Sequence, residues 1–506
     1  MKTKPIHFAA LLALLVMGCS PLLSGRGGDH KRLVQTAEQY MNSVSLRGAS
    51  WSAMAVDLTD GRILLSQDPQ RILIPGSGLK LLTTACALET LGPEFRVSTQ
   101  IGYSGNLEPG GVIAGDLVII GGGDPTLSTR FRLPHVPWPA ADTVDVCAAW
   151  ADTLYARGVR QIRGGLVAGN GLFGGESLGS GWEWDDLPAW FAAEFSPLVY
   201  KDACVEVTIL PSDTVGASAR VELSPANDYV TFANHVLSSD PASPSDLNYN
   251  RDLGNNVITV WGTVPAGSGP HKRWVSVHDP AGFFLAALED ALIQRGIMIL
   301  RTPRVTSDSR PAGGDFKLLY TDPSPPLREM IRIINTQSQS LHAEIMIRLL
   351  GLHTPNAAAA EIQNPFTAGR ERIRQWESAI TGPGTGFFMS DGSGLSRRNL
   401  LSAQEMIKVL VHMNRSPHRS DFLTSMASPG MGTLKTRFLG LPMDITLRAK
   451  TGSLNRIRSV SGYLLKNNQP RIAFSLICNN YFSSAEEVEQ TMENVVQLLA
   501  LYLREE

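Results

Sequence analysis

The sequence predicts an α/β protein of the α+β kind, in which an antiparallel sheet flanked by helices is assembled from both ends of the chain and carries a large β-rich insertion. Three observations predict it. A strand–strand–helix pattern lies near the beginning and a strand–strand–strand–helix pattern closes the chain, so the two ends can complete one sheet. Between about residues 96 and 310 the texture changes to short β-like runs punctuated by Gly, Pro and Asp. The chain has 506 residues, whereas single cores stop growing near about 250 to 300. We therefore expect one domain from 30–95 and 311–506, and one or two smaller β-rich domains within 96–310.

The first element is a leader. "MKTKPIHFAALLALLVMGCS" has a short basic start and an apolar run from Phe8 to Met17, too brief to span a bilayer as a mature helix, and it reads as a secretory signal over residues 1–19. Its end, "VMGC", resembles a bacterial lipobox, which would make Cys19 the lipidated N-terminus and tether the protein to the outer membrane. Met17 is not favoured in that motif, so cleavage by an ordinary signal peptidase is the alternative. The expected location is outside the cytoplasm, in the periplasm. Four cysteines remain, Cys86, Cys147, Cys204 and Cys478. They fit no zinc pattern, three disulfide pairings are open to them, and Cys86 reads as a core residue.

The next element, "WSAMAVDLTDGRILLSQDP", alternates around Thr59-Asp60-Gly61 and predicts a β-hairpin. "PGSGLK" then opens the run "LLTTACALETLG", apolar on nearly every face and closed by Gly92, a largely buried helix. In the insertion, "VIIGGGDPT" lacks the spacing of a dinucleotide fingerprint and Pro125 opposes a helix start at Asp124, so it reads as a turn. "DPAGFFLAALEDALIQRGI" predicts a helix ending at Gly296, and "LREMIRIINTQSQSLHAEIMIRLLG" is helical in period but interrupted between Gln337 and Ser340. "DITLRAKTGSL" and "RSVSGYLLKNNQPRIAFSLICNN" supply three strands, and "SAEEVEQTMENVVQLLALYLREE" the closing helix.

Composition narrows the function. A hydrophobic content of 43% and a charged content of 18% are those of a folded globular chain. The net charge of −2 becomes −4 once Lys2 and Lys4 leave with the leader, 43 basic against 47 acidic residues, so no basic field exists to hold nucleic acid. No motif suggests a metal or an organic cofactor.

The chemistry centres on Ser77 and Lys80. Residues three apart in a helix share a face, so the lysine amine can reach the serine hydroxyl. Serine is a weak nucleophile until a base takes its proton, and lysine serves only with its pKa pulled towards neutrality, here by burial and by the positive end of the helix dipole. A Ser-x-x-Lys string arises by chance about once or twice in a chain of this size, so other segments must support it. "INTQSQSLHAE" offers Ser338, a hydroxyl able to relay a proton between Lys80 and a leaving nitrogen. "RAKTGSL" places Lys450, Thr451 and Gly452 on a strand: a cation and a hydroxyl for a carboxylate, and a glycine that lets a substrate backbone approach the strand edge.

The ordered set Ser77-x-x-Lys80, Ser338-x-Ser340 and Lys450-Thr451-Gly452 resembles the three motifs of penicillin-binding proteins and serine β-lactamases. With "GDLVIIGGGDPTLS", "GWEWDDLP", "DGSGLSRRNLLSA" and "AKTGSLNRIRSVSGYL" added, nearly the whole mature chain resembles the D-alanyl-D-alanine carboxypeptidases of peptidase family S13, the PBP4 or DacB type. The resemblance implies a transpeptidase-like fold and a serine carboxypeptidase, with endopeptidase activity open to it, that acts on peptidoglycan stem peptides and is trapped by β-lactams. It implies that Ser77 is acylated, Lys80 takes its proton, Ser338 assists the leaving D-alanine, and Lys450 and Thr451 bind the terminal carboxylate. Backbone N–H groups of Ser77 and Ser453 would form the oxyanion hole. Asp186 and Phe191 of the insertion, with Arg397 and Asn455 across the cleft, would recognise the free amino end of the stem's diamino acid; the plainer structural readings are a cap or turn for Asp186, core for Phe191 and a surface ion pair for Arg397.

One departure stands out. The family's second motif is Ser-x-Asn, whereas this chain has Ser338-Gln339-Ser340. Serine is shorter and offers no amide, so Ser340 is expected to recover part of the role through a water and catalysis to be slowed rather than lost. The rival reading is a degenerate relative that binds peptidoglycan or a wall protein without turnover. A β-lactamase is disfavoured because nothing identifies the additional deacylating carboxylate of class A enzymes.

Overall fold

The computed structural model describes residues 26–128, 130, 145–311, 313–353, 364–382 and 386–505. The leader 1–19, and with it Cys19, lies outside the described residues. No helix among the described residues is long and apolar enough to cross a membrane.

Strands β1 (Ser50–Asp57) and β2 (Ile63–Gln67) form the hairpin read from the sequence. β3 (Ile445–Leu454), β4 (Ile457–Lys466) and β5 (Gln469–Asn479) join them in one antiparallel sheet of order β3-β4-β5-β1-β2. The first and last segments of the chain meet along β1 and β5, with Trp51 opposite Cys478 and Ala53 opposite Leu476.

Each face of this sheet is buried, which explains why β5 reads as a continuous apolar run rather than an alternating one. On one face α1 (Arg26–Met41) and α7 (Ala485–Glu505) lay Leu33, Ala37, Val495 and Leu499 over Ala53, Leu464 and Phe474. On the other, α2 (Lys80–Leu91), α3 (Leu327–Gln337), α4 (Ser340–Leu352), α5 (Pro365–Thr381) and α6 (Ala403–Arg415) build a second cluster that takes in Val56, Tyr463 and Ala473. In α4 every residue from Ser340 to Gly351 is buried, so any polar side chain there must find partners inside the protein.

The insertion is more mixed than its β-like texture suggests. Its larger sheet runs Arg304–Thr306, Leu166–Gly169, Leu117–Ile120, Ser98–Tyr103, Lys317–Pro323, with parallel pairs at one side and antiparallel pairs at the other. Helices Val146–Ala156 and Pro280–Gln294 bury Trp150, Leu154, Phe283, Phe284 and Leu288 in the same core cluster as this sheet. Two three-stranded sheets follow, one of them combining a parallel with an antiparallel pair. Because Lys317–Pro323 completes the larger sheet, the insertion extends past the boundary expected at residue 310. That strand pairs with Ser98–Tyr103 more than two hundred residues earlier, a partnership with no local signature.

The four cysteines among the described residues, Cys86, Cys147, Cys204 and Cys478, are all free and buried, so none of the three disulfide pairings left open by the sequence forms among them. Burial pushes the Cys86 thiol up to about 12, which suits a core residue.

Candidate active site

"PGSGLK" folds as a 3-10 turn, Gly76–Leu79, running directly into α2 at Lys80. Gly76 has a φ of 54°, and a Cβ there would lie 3.1 Å from the Ser453 nitrogen and 3.3 Å from the Gly452 carbonyl carbon, so only glycine lets this turn sit against β3. Gly452 also has a structural role: a Cβ on it would run into the Pro75 carbonyl oxygen and the Ser459 hydroxyl, so the bare strand makes room for the Ser77 turn.

Lys80 is wholly buried and its amine has three partners: Ser77 Oγ at 2.8 Å, Ser340 Oγ at 3.2 Å and the Ser393 carbonyl oxygen at 2.6 Å. Burial lowers its pKa to about 7, against the carboxylates of Asp391 and Glu344, which favour the charged form. The three partners can take the three N–H groups of the protonated amine, and they also serve the neutral one. Its two N–H groups can be accepted by the Ser393 carbonyl and the Ser340 hydroxyl oxygen, leaving the lone pair to take the Ser77 O–H.

The interruption between α3 and α4 supplies the next two groups. Ser338 caps α3 at φ 61°, a left-handed conformation uncommon for a residue with a side chain, and Gln339 returns to extended backbone before α4 begins. This reversal sends Ser338 to Lys450, whose Nζ donates to Ser338 Oγ at 2.8 Å, and Ser340 to Lys80. Two expectations are corrected here. The lysine partner of Ser338 is Lys450, not Lys80, and Ser340 reaches Lys80 directly rather than through a water. Gln339 is turned into the protein, where its side-chain oxygen accepts from the Leu341 N–H at 3.3 Å.

Lys450 is also buried, donates to the Thr451 carbonyl at 2.6 Å, and pairs with no carboxylate among the described residues. Burial and the neighbouring Lys80 hold its pKa well below that of a free lysine. It lies beneath the floor of a cleft of about 500 Å³, and the groups that face the cleft above it are Ser338 and Thr451.

Ser77, Ser338, Ser340, Thr451, Ser453, Asn455, Asp186 and Phe191 line that cleft together. Asp186 ends a 3-10 turn, Trp184–Asp186, and its carboxyl is shifted up by burial and by Glu183 and Asp185, with Arg397 opposing. Phe191 stacks edge-on against Trp190 at 5.9 Å. Arg397 stands at the rim, paired with Glu183 at 2.9 Å and donating to the Asn455 carbonyl at 2.8 Å. Glu183, Trp190, Gln337, Leu395, Thr433, Leu454 and Arg458 complete the lining and were not singled out from the sequence. Glu183 and Trp190 flank Asp186 and Phe191 in the chain, the one signal that pointed to them.

The insertion is seated on this site by polar contacts. Trp182 donates its indole N–H to Asp391 at 2.9 Å, and the His342 ring, two residues beyond Ser340, bonds Asp202 of the insertion at 2.8 Å. Among the described residues no group of three or more His, Cys, Asp or Glu side chains is arranged to hold a metal ion.

A serine beside a buried lysine at the head of a helix is set against the edge strand of a five-stranded antiparallel sheet, within the architecture of the penicillin-binding proteins. The chain belongs to the D-Ala-D-Ala carboxypeptidase 3 (S13) family, whose sequence model matches residues 33–502. It is 28% identical to the D-alanyl-D-alanine carboxypeptidase of Actinomadura sp. (strain R39) over 491 residues, covering 94% of this chain and 86% of the relative. It is 27% identical to the penicillin-sensitive carboxypeptidase A of Dictyostelium discoideum over 484 residues, 91% and 89% of the two chains. In fold it is similar to the crystal structure of penicillin binding protein 4 (dacB) from Haemophilus influenzae, with a TM-score of 0.75 over 92% of this chain and 99% of that one at 19% identity.

Proposed function

We propose that this chain is a serine D-alanyl-D-alanine carboxypeptidase, with endopeptidase activity on the same type of bond, working through an acyl-enzyme on Ser77. The observation that carries the reading is the set of three partners around Lys80, among which a neutral amine can give its two N–H groups to Ser393 and Ser340 and turn its lone pair to Ser77. Lys80 takes the Ser77 proton as the oxygen attacks the carbonyl of the penultimate D-alanine. The oxyanion is received by the backbone N–H groups of Ser77 and Ser453, a role supported by the close packing of the Gly76 turn on Ser453, whose nitrogen lies 3.1 Å from where a Gly76 Cβ would stand.

The scissile C–N bond then breaks, and the leaving D-alanine nitrogen takes a proton from the Ser338 hydroxyl, which recovers one from Lys450. Lys450 favours an anionic substrate for a simple reason: among the described residues it pairs with no carboxylate, and one brought to the cleft offsets the burial and the Lys80 repulsion that disfavour its charged form. Ser338 and Thr451 present their hydroxyls to the terminal carboxylate directly above. Water releases the acyl group, whereas a β-lactam, whose leaving group stays attached, remains on the enzyme.

Asp186, Phe191, Asn455 and the Arg397 rim form the far end of the cleft and would take the free amino group of the stem's diamino acid. The Lys80–Ser340 contact supports turnover over the non-catalytic reading that the altered second motif raised. The experiment is intact-mass spectrometry after exposure to benzylpenicillin. One adduct on the parent and none on Ser77→Ala is expected; an unmodified parent overturns the proposal. A secretory leader over residues 1–19, a lipid anchor at Cys19 and a periplasmic location belong to the same proposal and are checked by the mass of the mature N-terminus.

A further inference from the structure

Lys80 is set by a loop of which the mechanism above uses only the Ser393 carbonyl. The Ser393 carbonyl that takes its shortest hydrogen bond lies in the turn Asp391-Gly392-Ser393-Gly394, and the surrounding protein holds this turn at nearly every polar atom. Glu344, one turn along α4 from Ser340 and wholly buried, accepts the N–H groups of both Gly392 and Ser393 on one carboxylate oxygen, each at 2.9 Å. Its other oxygen takes the Arg348 guanidinium at 3.1 Å. Thr83, on the same helix as Lys80, donates to the Gly392 carbonyl at 2.8 Å. Asp391 accepts the N–H groups of Gly394 at 2.7 Å and Ser396 at 2.6 Å, so the turn is closed upon itself.

Every recorded partner of the Glu344 oxygens is a donor, which is the environment of a carboxylate rather than of a carboxylic acid. Burial and Asp391 push its pKa up, to about 7, and Arg348 with the Ser393 N–H pulls it back. A buried charge with this much dedicated bonding, in a helix buried throughout, is costly to keep as mere packing.

We propose that Glu344 is a positioning residue for Lys80: its carboxylate fixes the Gly392–Ser393 peptide so that the Ser393 carbonyl occupies one N–H of the lysine and the lone pair is left facing Ser77. The groups that face the amine's surroundings are Glu344 and Arg348 on α4, Asp391 on the turn and Lys450 on β3. Glu344 therefore acts on Lys80 twice, by geometry through Ser393 and by charge. The inference deepens the peptidase reading and rests on it.

The two actions separate in two substitutions. Glu344→Asp keeps the charge and shortens the reach, so it should lower the plateau rate of Ser77 acylation by a chromogenic cephalosporin about tenfold while leaving the acid limb of the pH profile in place. Glu344→Gln removes the negative charge that favours protonated Lys80, so its acid limb should move to lower pH by about half a unit or more, a displacement that a loss of folded protein would not produce. An unmoved limb in Glu344→Gln overturns the proposal, as does a parental plateau in Glu344→Asp. Should the glutamine variant fail to fold, the aspartate variant decides by itself. If the parent is not acylated at all, the peptidase reading falls separately, and the Lys80 titration is followed by NMR of protein carrying ¹⁵N-labelled lysine; equal midpoints in parent and Glu344→Gln then overturn the role of Glu344.

Discussion

Ser340 Oγ lies 3.2 Å from Lys80 Nζ, across 260 residues of chain. A hydroxyl thereby stands where the family's second motif carries an amide, and its oxygen can accept a lysine N–H as an amide oxygen would. The substitution trims the site without removing the contact, so Ser340→Ala should slow acylation by about tenfold, the effect of losing one polar partner in a buried site. Ser340→Asn should acylate several-fold faster than the parent, because the longer side chain shortens the contact and adds an N–H towards the cleft. Stopped-flow acylation with a chromogenic cephalosporin measures both.

The acylation rate of the parent should rise tenfold per pH unit up to about 7 and level off above it. The sign follows from the base: only neutral Lys80 accepts the Ser77 proton, and burial lowers its pKa to about 7. Below that value the protonated fraction grows and the rate falls in proportion. A profile still rising through pH 9 would mean that Lys80 titrates as a free lysine.

Asp186→Asn should reduce kcat/KM for stem peptides with a free amino group on the diamino acid, and change little for peptides in which that amine is acetylated. The Asp186 carboxyl is shifted upward first by burial and then by Glu183 and Asp185, and an ammonium brought into the cleft offsets both, an attraction the amide cannot offer. Steady-state kinetics on the paired peptides separates this role from that of a cap, which would affect both equally.

Asp202→Ala should destabilise the protein by about 3 kcal/mol, since it leaves a buried His342 without its partner. The two side chains are fully buried and join the insertion to α4. A lowered thermal midpoint is expected, and an unchanged one would mean that the Asp202–His342 contact contributes nothing to seating the insertion.

The main sheet and its closing helix were legible because apolar periodicity is local: β1, β2, β3, β4, β5 and α7 each announce themselves within a dozen or so residues, and the Ser-x-x-Lys spacing places two side chains on one helical face whatever the rest of the chain does. The break after Gln337 was legible too, as a loss of helical period. What that break does could not be read locally. The left-handed Ser338 hands its hydroxyl to Lys450 and leaves Lys80 to Ser340, a choice made by where β3 and α2 come to rest.

The same holds for Gly452, whose bare face is filled by the Pro75 carbonyl, and for the strand Lys317–Pro323, claimed by the insertion's sheet. Glu344 carried one faint signal, an acidic residue four before Arg348 in an otherwise apolar helix. The sequence by itself determined which residue types are present and which local elements hold them. The tertiary structure decided which hydroxyl meets which lysine, because contacts between residues hundreds of positions apart depend on the packing of whole elements, and a hydrogen bond is made or lost over less than an ångström.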